Sequence, residues 1–458
     1  MTGGGTTIET TDEIEDVADD RVAGLLIVGA HALEADGRAA PIRAIALTRG
    51  AVVIGRGDAS DVRVESDRLS RRHTRFSRDA DGALVVEDLG SKNGTFVDRE
   101  RIDAPRTVAG PRSVVRLGDH FVLQVDDVTL FVSRAVSVND GVVVGPVLGA
   151  TLDAVRASAR ADACLHLRGE TGAGKELLAR AFADETFARS PRRTTDSPRP
   201  FVAVNCATIQ PELAERLLFG TKRGAYSSAD ADADGYVQAA DGGTLFLDEV
   251  VELDGAIQAK LLRVLETGEV FRLGATKGTR VSVRVCTATH ADLRAEVARG
   301  RFRADLYYRL GRPLVVLPPL RDRREEIPYL IAQALRTLDV GLSPHVSLVE
   351  TCLLREWPGN VRELLLEVRS AAHRARGEGA DVVRDKHLAD DAGREVERDS
   401  SGAGAADPDR DESPSRLPAD EVIEAALAAQ GGNVAATARA LGVHRTQIRR
   451  WMARRAPG

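Results

Sequence analysis

The segment whose residue types and spacing most clearly indicate a chemical function is GETGAGKE, at residues 169–176. It follows the apolar run CLHL and precedes LLARAFADE, which has helical periodicity, so it has the strand, loop and helix context of a P-loop. The glycines would let backbone N–H groups surround phosphate oxygens, and Lys175 would reach the terminal phosphates of ATP. The alternative is a turn that has this spacing by chance. The predicted nucleotide-binding residues are Gly169, Glu170, Thr171, Gly172, Ala173, Gly174, Lys175 and Glu176.

A second segment, GGTLFLDEV at residues 242–250, is an apolar strand pattern that ends in two adjacent carboxylates. Asp248 would orient Mg²⁺ and its waters, and Glu249 would polarise the water that attacks the terminal phosphate. Two acidic residues at a strand end can also serve only as a helix cap. Beside a P-loop, the pair predicts ATP hydrolysis, with ATP and Mg²⁺ as the cofactors and Asp248 as the metal ligand.

Two further regions carry polar clusters that could bind anions. Between residues 22 and 132 the clusters VVIGRGDASD, LSRRH and DLGSKNGTFV place Arg56, Ser70 and Asn93 on predicted loops, which a β-sandwich gathers at one end. From Asn433 onward the chain has six arginines and no acidic residue. This end is therefore locally basic and would attract the phosphates of nucleic acid, although a solvated basic helix is the alternative.

Hydrophobic periodicity predicts the elements that position these residues. Short apolar runs separated by Gly, Asp and Asn turns predict an all-β sandwich, and helical stretches alternating with buried-strand runs predict a parallel α/β domain. The C-terminal residues have helix-turn-helix spacing, which predicts a small all-α unit. The predicted ranges are 1–21 for an acidic disordered tail, 22–134 for the sandwich, 140–390 for the P-loop domain, 391–416 for a disordered linker and 417–458 for the helical unit.

The composition limits the possible settings. A chain of 458 residues predicts several domains, and a formal net charge of −6 gives no attraction of the whole molecule to polyanions. The four cysteines form no C-x-x-C pair, so neither a zinc site nor a disulfide framework is indicated. The N-terminus does not have the pattern of a signal peptide, and no apolar run is long enough for a membrane span. We therefore expect a cytoplasmic protein without membrane contact.

The middle motifs resemble the AAA+ ATPase domain of sigma-54-dependent transcriptional activators, also called bacterial enhancer-binding proteins. The resemblance extends over GETGAGKE, FVAVNCATI, LLFGTKRGAYSSA, GGTLFLDEV, FRADLYYRL, LPPLRDRREEIPYL and WPGNVREL. In that family Glu normally follows the P-loop lysine, which accounts for Glu176 in place of the usual Ser or Thr. The resemblance implies a fold with a helical lid, a hexameric ring and remodelling of sigma-54 RNA polymerase.

The same resemblance assigns roles to individual residues. It implies that Asn205 holds Glu249 in a switch between idle and catalytic orientations, although an amide that only satisfies a strand end is the alternative. Arg303 and Arg309 match the arginine fingers that reach the ATP of a neighbouring subunit. The alternative is that they only form surface salt bridges. Arg362 matches the sensor arginine within the same subunit.

Two segments depart from the family pattern. The sigma-contacting loop normally reads GAFTGA, but here it is Gly224, Ala225, Tyr226, Ser227, Ser228 and Ala229. Ser228 replaces a glycine, which can adopt backbone conformations that serine avoids. His290 stands where the family generally has Asn. The alternative function is therefore a DNA-binding, phosphoprotein-responsive regulator in which ATP controls assembly and sigma-54 is not remodelled.

The terminal regions carry two further resemblances. The three clusters of the β-rich region resemble a forkhead-associated (FHA) domain, which implies that Arg56 and Ser70 bind the phosphate of a phosphothreonine protein or a Ser/Thr kinase, while Arg71, Lys92 and Asn93 contact phosphate or peptide backbone. An FHA-like fold that has lost binding is the alternative. The form GGNVAATARALGV-R resembles the Fis-type DNA-binding domain. Its candidate contacts with upstream DNA are His444, Arg445, Thr446, Gln447, Arg449 and Arg450.

Overall fold

The computed structural model describes most of the chain in two compact units, Met1–Val396 and Glu397–Gly458. The described residues are 22–394, apart from 35, 48–49, 109, 162–163, 190–198, 226–230 and 339–340, together with 422–423, 426–427 and 437. The described residues of the second unit are helical. The six predicted DNA-contact residues lie outside the described residues.

The first part of the larger unit is a β-sandwich, as its alternating apolar runs predict. Its sheets have the strand orders β2-β1-β11-β10-β7-β8 and β4-β3-β5-β6-β9. The strands are β1 (Gly24–Gly29), β2 (Arg43–Ala46), β3 (Val52–Gly55), β4 (Val62–Arg63), β5 (Thr74–Arg78), β6 (Leu84–Asp88), β7 (Thr95–Val97), β8 (Glu100–Arg101), β9 (Arg106–Thr107), β10 (Val114–Leu117) and β11 (His120–Val125).

A parallel α/β domain follows the sandwich and a short helix. Its sheet has the order β15-β16-β19-β14-β20, and every pairing in it is parallel. The elements are α1 (Thr129–Ser133), β12 (Ser137–Asn139), β13 (Val142–Val144), α2 (Pro146–Ala161), β14 (Cys164–Arg168), α3 (Lys175–Arg189), β15 (Phe201–Asn205), α4 (Pro211–Phe219), α5 (Tyr236–Ala239), β16 (Thr244–Asp248), α6 (Gly255–Thr267), β17 (Glu269–Val270), β18 (Thr279–Arg280), β19 (Arg284–Thr289), α7 (Leu293–Ala298), α8 (Ala304–Leu310) and β20 (Leu314–Val316). The predicted α/β class of this region is confirmed.

A helical lid completes the larger unit. It contains α9 (Ile327–Thr337), β21 (Ser343–Pro344), α10 (Val346–Leu353), α11 (Asn360–Gly377) and β22 (Val382–Val383). Helix α9 buries a broad apolar face that includes Ile327, Leu330 and Ile331. Within the described residues, no helix is both long and apolar enough to cross a membrane.

The sandwich packs directly on the lid through the outer face of its first sheet. Successive residues of a strand point to opposite faces, so Leu25 and Ile27 of β1 enter the sandwich core while Leu26 and Val28 belong to a core shared with the lid. Arg116 on β10 donates to Glu350 on α10 at 2.9 Å, and both side chains are largely buried. The sequence did not predict this contact between the sandwich and the lid.

Candidate nucleotide site and phosphopeptide loops

The loop between β14 and α3 wraps tightly under the lid. Gly172 has φ of +75°, and a Cβ at this position would lie 2.2 Å from the carbonyl oxygen of Gly359, so only glycine fits. The Asn360 side chain donates to the carbonyl of Thr171 and to the Glu170 carboxylate, each at 3.1 Å. The lid therefore fixes the shape of the loop that is predicted to hold phosphates.

Lys175 begins α3 and is almost completely buried. Its Nζ donates to the carbonyl of Gly169 at 3.0 Å and to Oε1 of Glu249 at 3.2 Å, and it lies 4.0 Å from Oδ1 of Asp248. The ammonium group thus joins the glycine loop to the carboxylates at the end of β16. The structure brings Lys175 together with two adjacent carboxylates that are far from it in sequence.

Asp248 and Glu249 differ in their electrostatic environments. Burial raises the pKa of Asp248, an effect that the charge of Lys175 only partly offsets. Burial acts in the same direction on Glu249, but the Lys175 charge and hydrogen bonds from His290 and Lys175 outweigh it, so the pKa of Glu249 is lowered. Glu249 also has a left-handed backbone with φ of +52°, a strained conformation of the kind that concentrates at functional sites. Its carboxylate is held ionised and in a fixed position.

The residues that hold Glu249 differ from the sequence expectation. Oε2 of Glu249 lies 2.9 Å from Nδ1 of His290 and accepts a hydrogen bond from Oγ1 of Thr289 at 3.2 Å. Asn205 pairs in register with Asp248, but its Oδ1 accepts from the backbone N–H of Ala207 at 3.0 Å and caps a short turn. The switch role of Asn205 therefore stays a prediction. Sequence reasoning did not single out Thr289, although it lies at the end of a strand beside Glu249.

The segment between β20 and α9 contributes a further residue that sequence reasoning missed. Arg323 is buried, donates to the carbonyl of Ala173 in the glycine loop at 2.5 Å, and pairs with Glu326 at 2.7 Å. Glu326 in turn accepts from the backbone N–H of Gly145 at 2.9 Å. The segment LPPLRDRREEIPYL, quoted as a family motif without residue roles, contained this signal.

A cavity of about 610 Å³ lies between the P-loop and the lid. Its polar wall contains Lys175, Asp248, Glu249 and Arg362, while Val143, Leu148, Leu330 and Leu365 form part of its apolar wall. A mostly apolar cleft with a few convergent charged groups is the usual form of a small-molecule site. Arg362 thus lies where a sensor of bound nucleotide would be needed.

The other two predicted arginines lie outside this cavity. Arg303 precedes α8 and pairs with Asp305 at 2.7 Å, and Arg309 donates to the carbonyl of Leu265 at 3.2 Å. Both side chains are exposed, so they are accessible to another molecule. Their role toward a neighbouring subunit stays a prediction.

The predicted sigma-contacting loop is described only at its start. Gly224 has φ of +80°, and the backbone N–H of Ala225 donates to the carbonyl of Lys222 at 3.0 Å. Tyr226, Ser227, Ser228 and Ala229 lie outside the described residues.

The described part of the chain contains no cluster of three or more His, Cys, Asp or Glu side chains suited to a metal ion. A magnesium ion beside a nucleotide needs only one or two carboxylates, because phosphate oxygens and water complete its coordination. Asp248 is partly exposed at the strand end beside Lys175, and this donor set fits such an ion. Asp248 would hold Mg²⁺ there.

The predicted phosphopeptide residues converge at one end of the sandwich. The backbone N–H of Arg56 donates to the carbonyl of Ser70 at 3.0 Å, and the N–H of Lys92 donates to the Ser70 hydroxyl, also at 3.0 Å. The Asn93 side chain donates to the carbonyl of Arg68 at 2.6 Å. Three separate loops are therefore tied together, and the side chains of Arg56, Arg71, Lys92 and Asn93 are exposed around Ser70.

His73 fixes this arrangement from below. It is fully buried, its Nδ1 accepts from the backbone N–H of Ser70 at 3.0 Å, and its Nε2 lies 3.2 Å from the carbonyl oxygen of Gly94. Burial lowers the pKa of His73, which keeps the ring neutral and able to accept that hydrogen bond. His73 therefore stabilises the position of the Ser70 backbone.

Family models match three segments in the order of the motifs. Residues 52–118 match the FHA domain, residues 144–315 the sigma-54 interaction domain, and residues 420–454 the bacterial regulatory protein, Fis family. Among similar proteins, a Nif-specific regulatory protein of Herbaspirillum seropedicae is 43% identical over 51% of this chain and 42% of its own length. The nitric oxide reductase transcription regulator NorR2 of Cupriavidus necator is 44% identical over 63% of this chain and 57% of its own length.

The chain therefore spans about half the length of these relatives. Among solved structures, NtrX from Brucella abortus in complex with ADP is 30% identical, with a TM-score of 0.48 and coverage of 67% of this chain and 68% of the NtrX chain.

Proposed function

Because the chain belongs to the sigma-54-dependent transcriptional regulators, with FHA, AAA+ and Fis-type segments in that order, we propose that it hydrolyses ATP to activate sigma-54 RNA polymerase in response to a phosphothreonine signal. The main observation in support of this function is that Lys175, Asp248 and Glu249 lie close together at the carboxyl ends of the strands of the parallel sheet.

The geometry supports a division of labour in hydrolysis. Backbone N–H groups of the loop and the Lys175 ammonium would bind the phosphates, and the apolar wall with Leu330 and Leu365 would cover the base. The ionised Glu249 carboxylate would accept hydrogen bonds from the attacking water and orient it. Mg²⁺ bound at Asp248 would neutralise charge on the phosphate oxygens.

The remaining elements supply assembly, sensing and targeting in this proposal. Arg303 and Arg309 would complete the site of a neighbouring subunit, which requires a closed ring such as a hexamer. The exposed cations around Ser70 would bind a phosphothreonine protein or kinase, and the Fis-type helices would bind upstream DNA.

Open-complex formation on a sigma-54 promoter tests the proposal. The 458-residue chain, purified sigma-54 RNA polymerase and supercoiled template are combined with ATP or a non-hydrolysable analogue, and single-stranded promoter DNA is detected by permanganate footprinting. We expect open complexes with ATP only. Active ATP hydrolysis without any open complex would sink the proposed coupling to sigma-54.

A second candidate function rests on Ser228, which stands where the family loop has glycine. In that alternative ATP controls assembly on DNA, and the polymerase is not remodelled. Ser228→Gly separates the two functions in the same assay. The control is Ser133→Gly, at an exposed position of helix α1. A gain of open complexes only in Ser228→Gly supports the alternative, whereas full activity of the parent supports the first proposal.

A further inference from the structure

A second and larger cavity lies between the sandwich, the glycine loop and the lid. It measures about 1100 Å³ and shares only Thr171 and His290 with the cavity that contains Lys175. Residues from all three parts contribute to its wall, so it exists only while the sandwich is packed on the lid. Its charged wall residues are Arg99 and Arg112 from the sandwich, Glu170 from the glycine loop, Arg321 from the segment between β20 and α9, and Arg355, Glu356 and Arg394 from the lid.

The wall carries more positive than negative charge. Arg99, Arg112 and Arg321 have carboxylate partners, namely Asp385, Glu356 and Glu170 respectively. Arg355 instead donates to the carbonyl oxygens of Ala389 and Ala392. Within the described ranges, neither Arg355 nor Arg394 has a carboxylate within ion-pairing distance.

These two guanidinium groups are also close enough to affect each other. Burial lowers the pKa of Arg355, and the positive charge of Arg394 acts in the same direction, while Cys352, Asp390 and Glu367 act in the opposite direction. Like charges that face a common, partly buried space repel, and a multivalent anion between them would relieve the repulsion. Guanidinium groups pair with phosphate oxygens through two parallel hydrogen bonds, so phosphate is the anion that suits this wall best.

We propose that this cavity binds a small polyphosphate-bearing anion and that the bound anion holds the sandwich on the lid. The ligand contacts residues from both parts, so it stabilises the packed arrangement over any arrangement in which the sandwich is released. It also lies beside His290, whose Nδ1 is 2.9 Å from Glu249. An anion bound in this cavity would therefore lie close to the groups that position Glu249. Binding of this anion does not require Lys175.

Titration calorimetry with inorganic tripolyphosphate tests this site on the full-length chain. Lys175→Ala serves as the background, because it weakens competition by the P-loop. We expect tripolyphosphate to bind this background, and Arg394→Glu to lower the affinity by about tenfold or more through loss of one attractive charge and gain of a repulsive one. Arg355→Gln should lower it as well, while retaining hydrogen-bond donors for the two carbonyl groups.

The matched control is Arg376→Glu, which reverses the charge of another exposed lid arginine that does not line the cavity. We expect its affinity to stay within about twofold of the background. With these variants, either of two results would overturn the proposal: binding that is lost with Lys175→Ala alone, or equal binding by Arg394→Glu and Arg376→Glu.

The chain also contains a competing anion of another kind. Its first twenty residues include Glu9, Asp12, Glu13, Glu15, Asp16, Asp19 and Asp20 and no basic residue. A variant with these seven changed to Asn or Gln should bind tripolyphosphate as the background does. If tripolyphosphate binds to this variant but not to the Lys175→Ala background, the acidic segment occupies the cavity. The proposal that a small anion binds there would then be wrong.

Discussion

The nucleotide site and the phosphopeptide loops are both predicted to bind phosphate, but they are built in opposite ways. Lys175 is buried with its charge matched by Glu249, and the surrounding loop is fixed by buried groups of the lid. Arg56 is exposed, and only its backbone is held, by Ser70. Charges interact strongly in the buried site and are screened by water and salt at the exposed one. Substitutions in the two regions should therefore differ in magnitude and in salt dependence.

The largest effect is expected for Lys175→Ala, which removes the central cation of the buried site. It takes one attractive charge from the phosphates and leaves Asp248 and Glu249 uncompensated, so ATP affinity should fall by roughly a thousandfold, or about 4 kcal/mol. Fluorescent-nucleotide titration measures this change, with Lys260→Ala, a substitution of a lysine on α6, as the control. If ATP affinity falls by less than about tenfold, the buried nucleotide site would be no more sensitive to substitution than the exposed phosphopeptide loops.

The packing of the sandwich on the lid connects the two regions and is tested by Arg116→Ala. Glu350 is 4% exposed and would lose its partner, which should cost about 3 kcal/mol in the free energy of unfolding. The control Arg63→Ala removes a bond to the exposed Asp58 and should cost less than about 0.5 kcal/mol. Urea unfolding compares the variants, and equal losses would mean that this contact is not stabilising.

A smaller effect is expected for Arg56→Ala at the exposed loops. Affinity for a phosphothreonine peptide should fall by about thirtyfold, or about 2 kcal/mol, while ATP hydrolysis is retained. Fluorescence anisotropy with phosphorylated and unphosphorylated peptides measures the loss of affinity. The control is Arg78→Ala, at the end of β5 that is farther in sequence from Ser70. Binding by the parent should weaken as salt is raised. Unchanged peptide affinity in Arg56→Ala would refute the sensor assignment.

The smallest effect is expected for His290→Asn, which introduces the residue that the family generally has. Asn retains a hydrogen-bond donor for Glu249, so steady-state hydrolysis should change by no more than about threefold. His290→Ala removes that donor and should reduce the rate further. If both variants hydrolyse ATP like the parent, His290 does not help to position Glu249.

The sequence predicted the elements better than it predicted their contacts. Periodicity indicated the sandwich and the parallel sheet, because a strand buried on both faces reads as a continuous apolar run, as in β14 and β19. Leu26 and Val28 in β1 carried the same kind of signal, but nothing in the sequence specified the lid as their partner. Identification of the family and of the three-part fold class was correct.

Within the candidate site, the motif residues were predictable and their supporting residues were not. Lys175, Asp248 and Glu249 lie in short motifs whose spacing reflects their chemistry. Arg323 and Thr289 act through tertiary hydrogen bonds to Ala173 and Glu249, which depend on how distant segments pack. Asn205 illustrates the same limit, since its amide caps a local turn.

The central claim is that the buried site hydrolyses ATP through Glu249. Nucleotide binding and phosphate release are measured in parallel for the parent chain and for Glu249→Gln. The control is Glu266→Gln, at an exposed position of α6 that does not line the cavity. We expect Glu249→Gln to retain ATP binding while turnover falls by at least about a hundredfold, and Glu266→Gln to hydrolyse ATP like the parent. Persistent hydrolysis by Glu249→Gln at the parental rate would contradict the account.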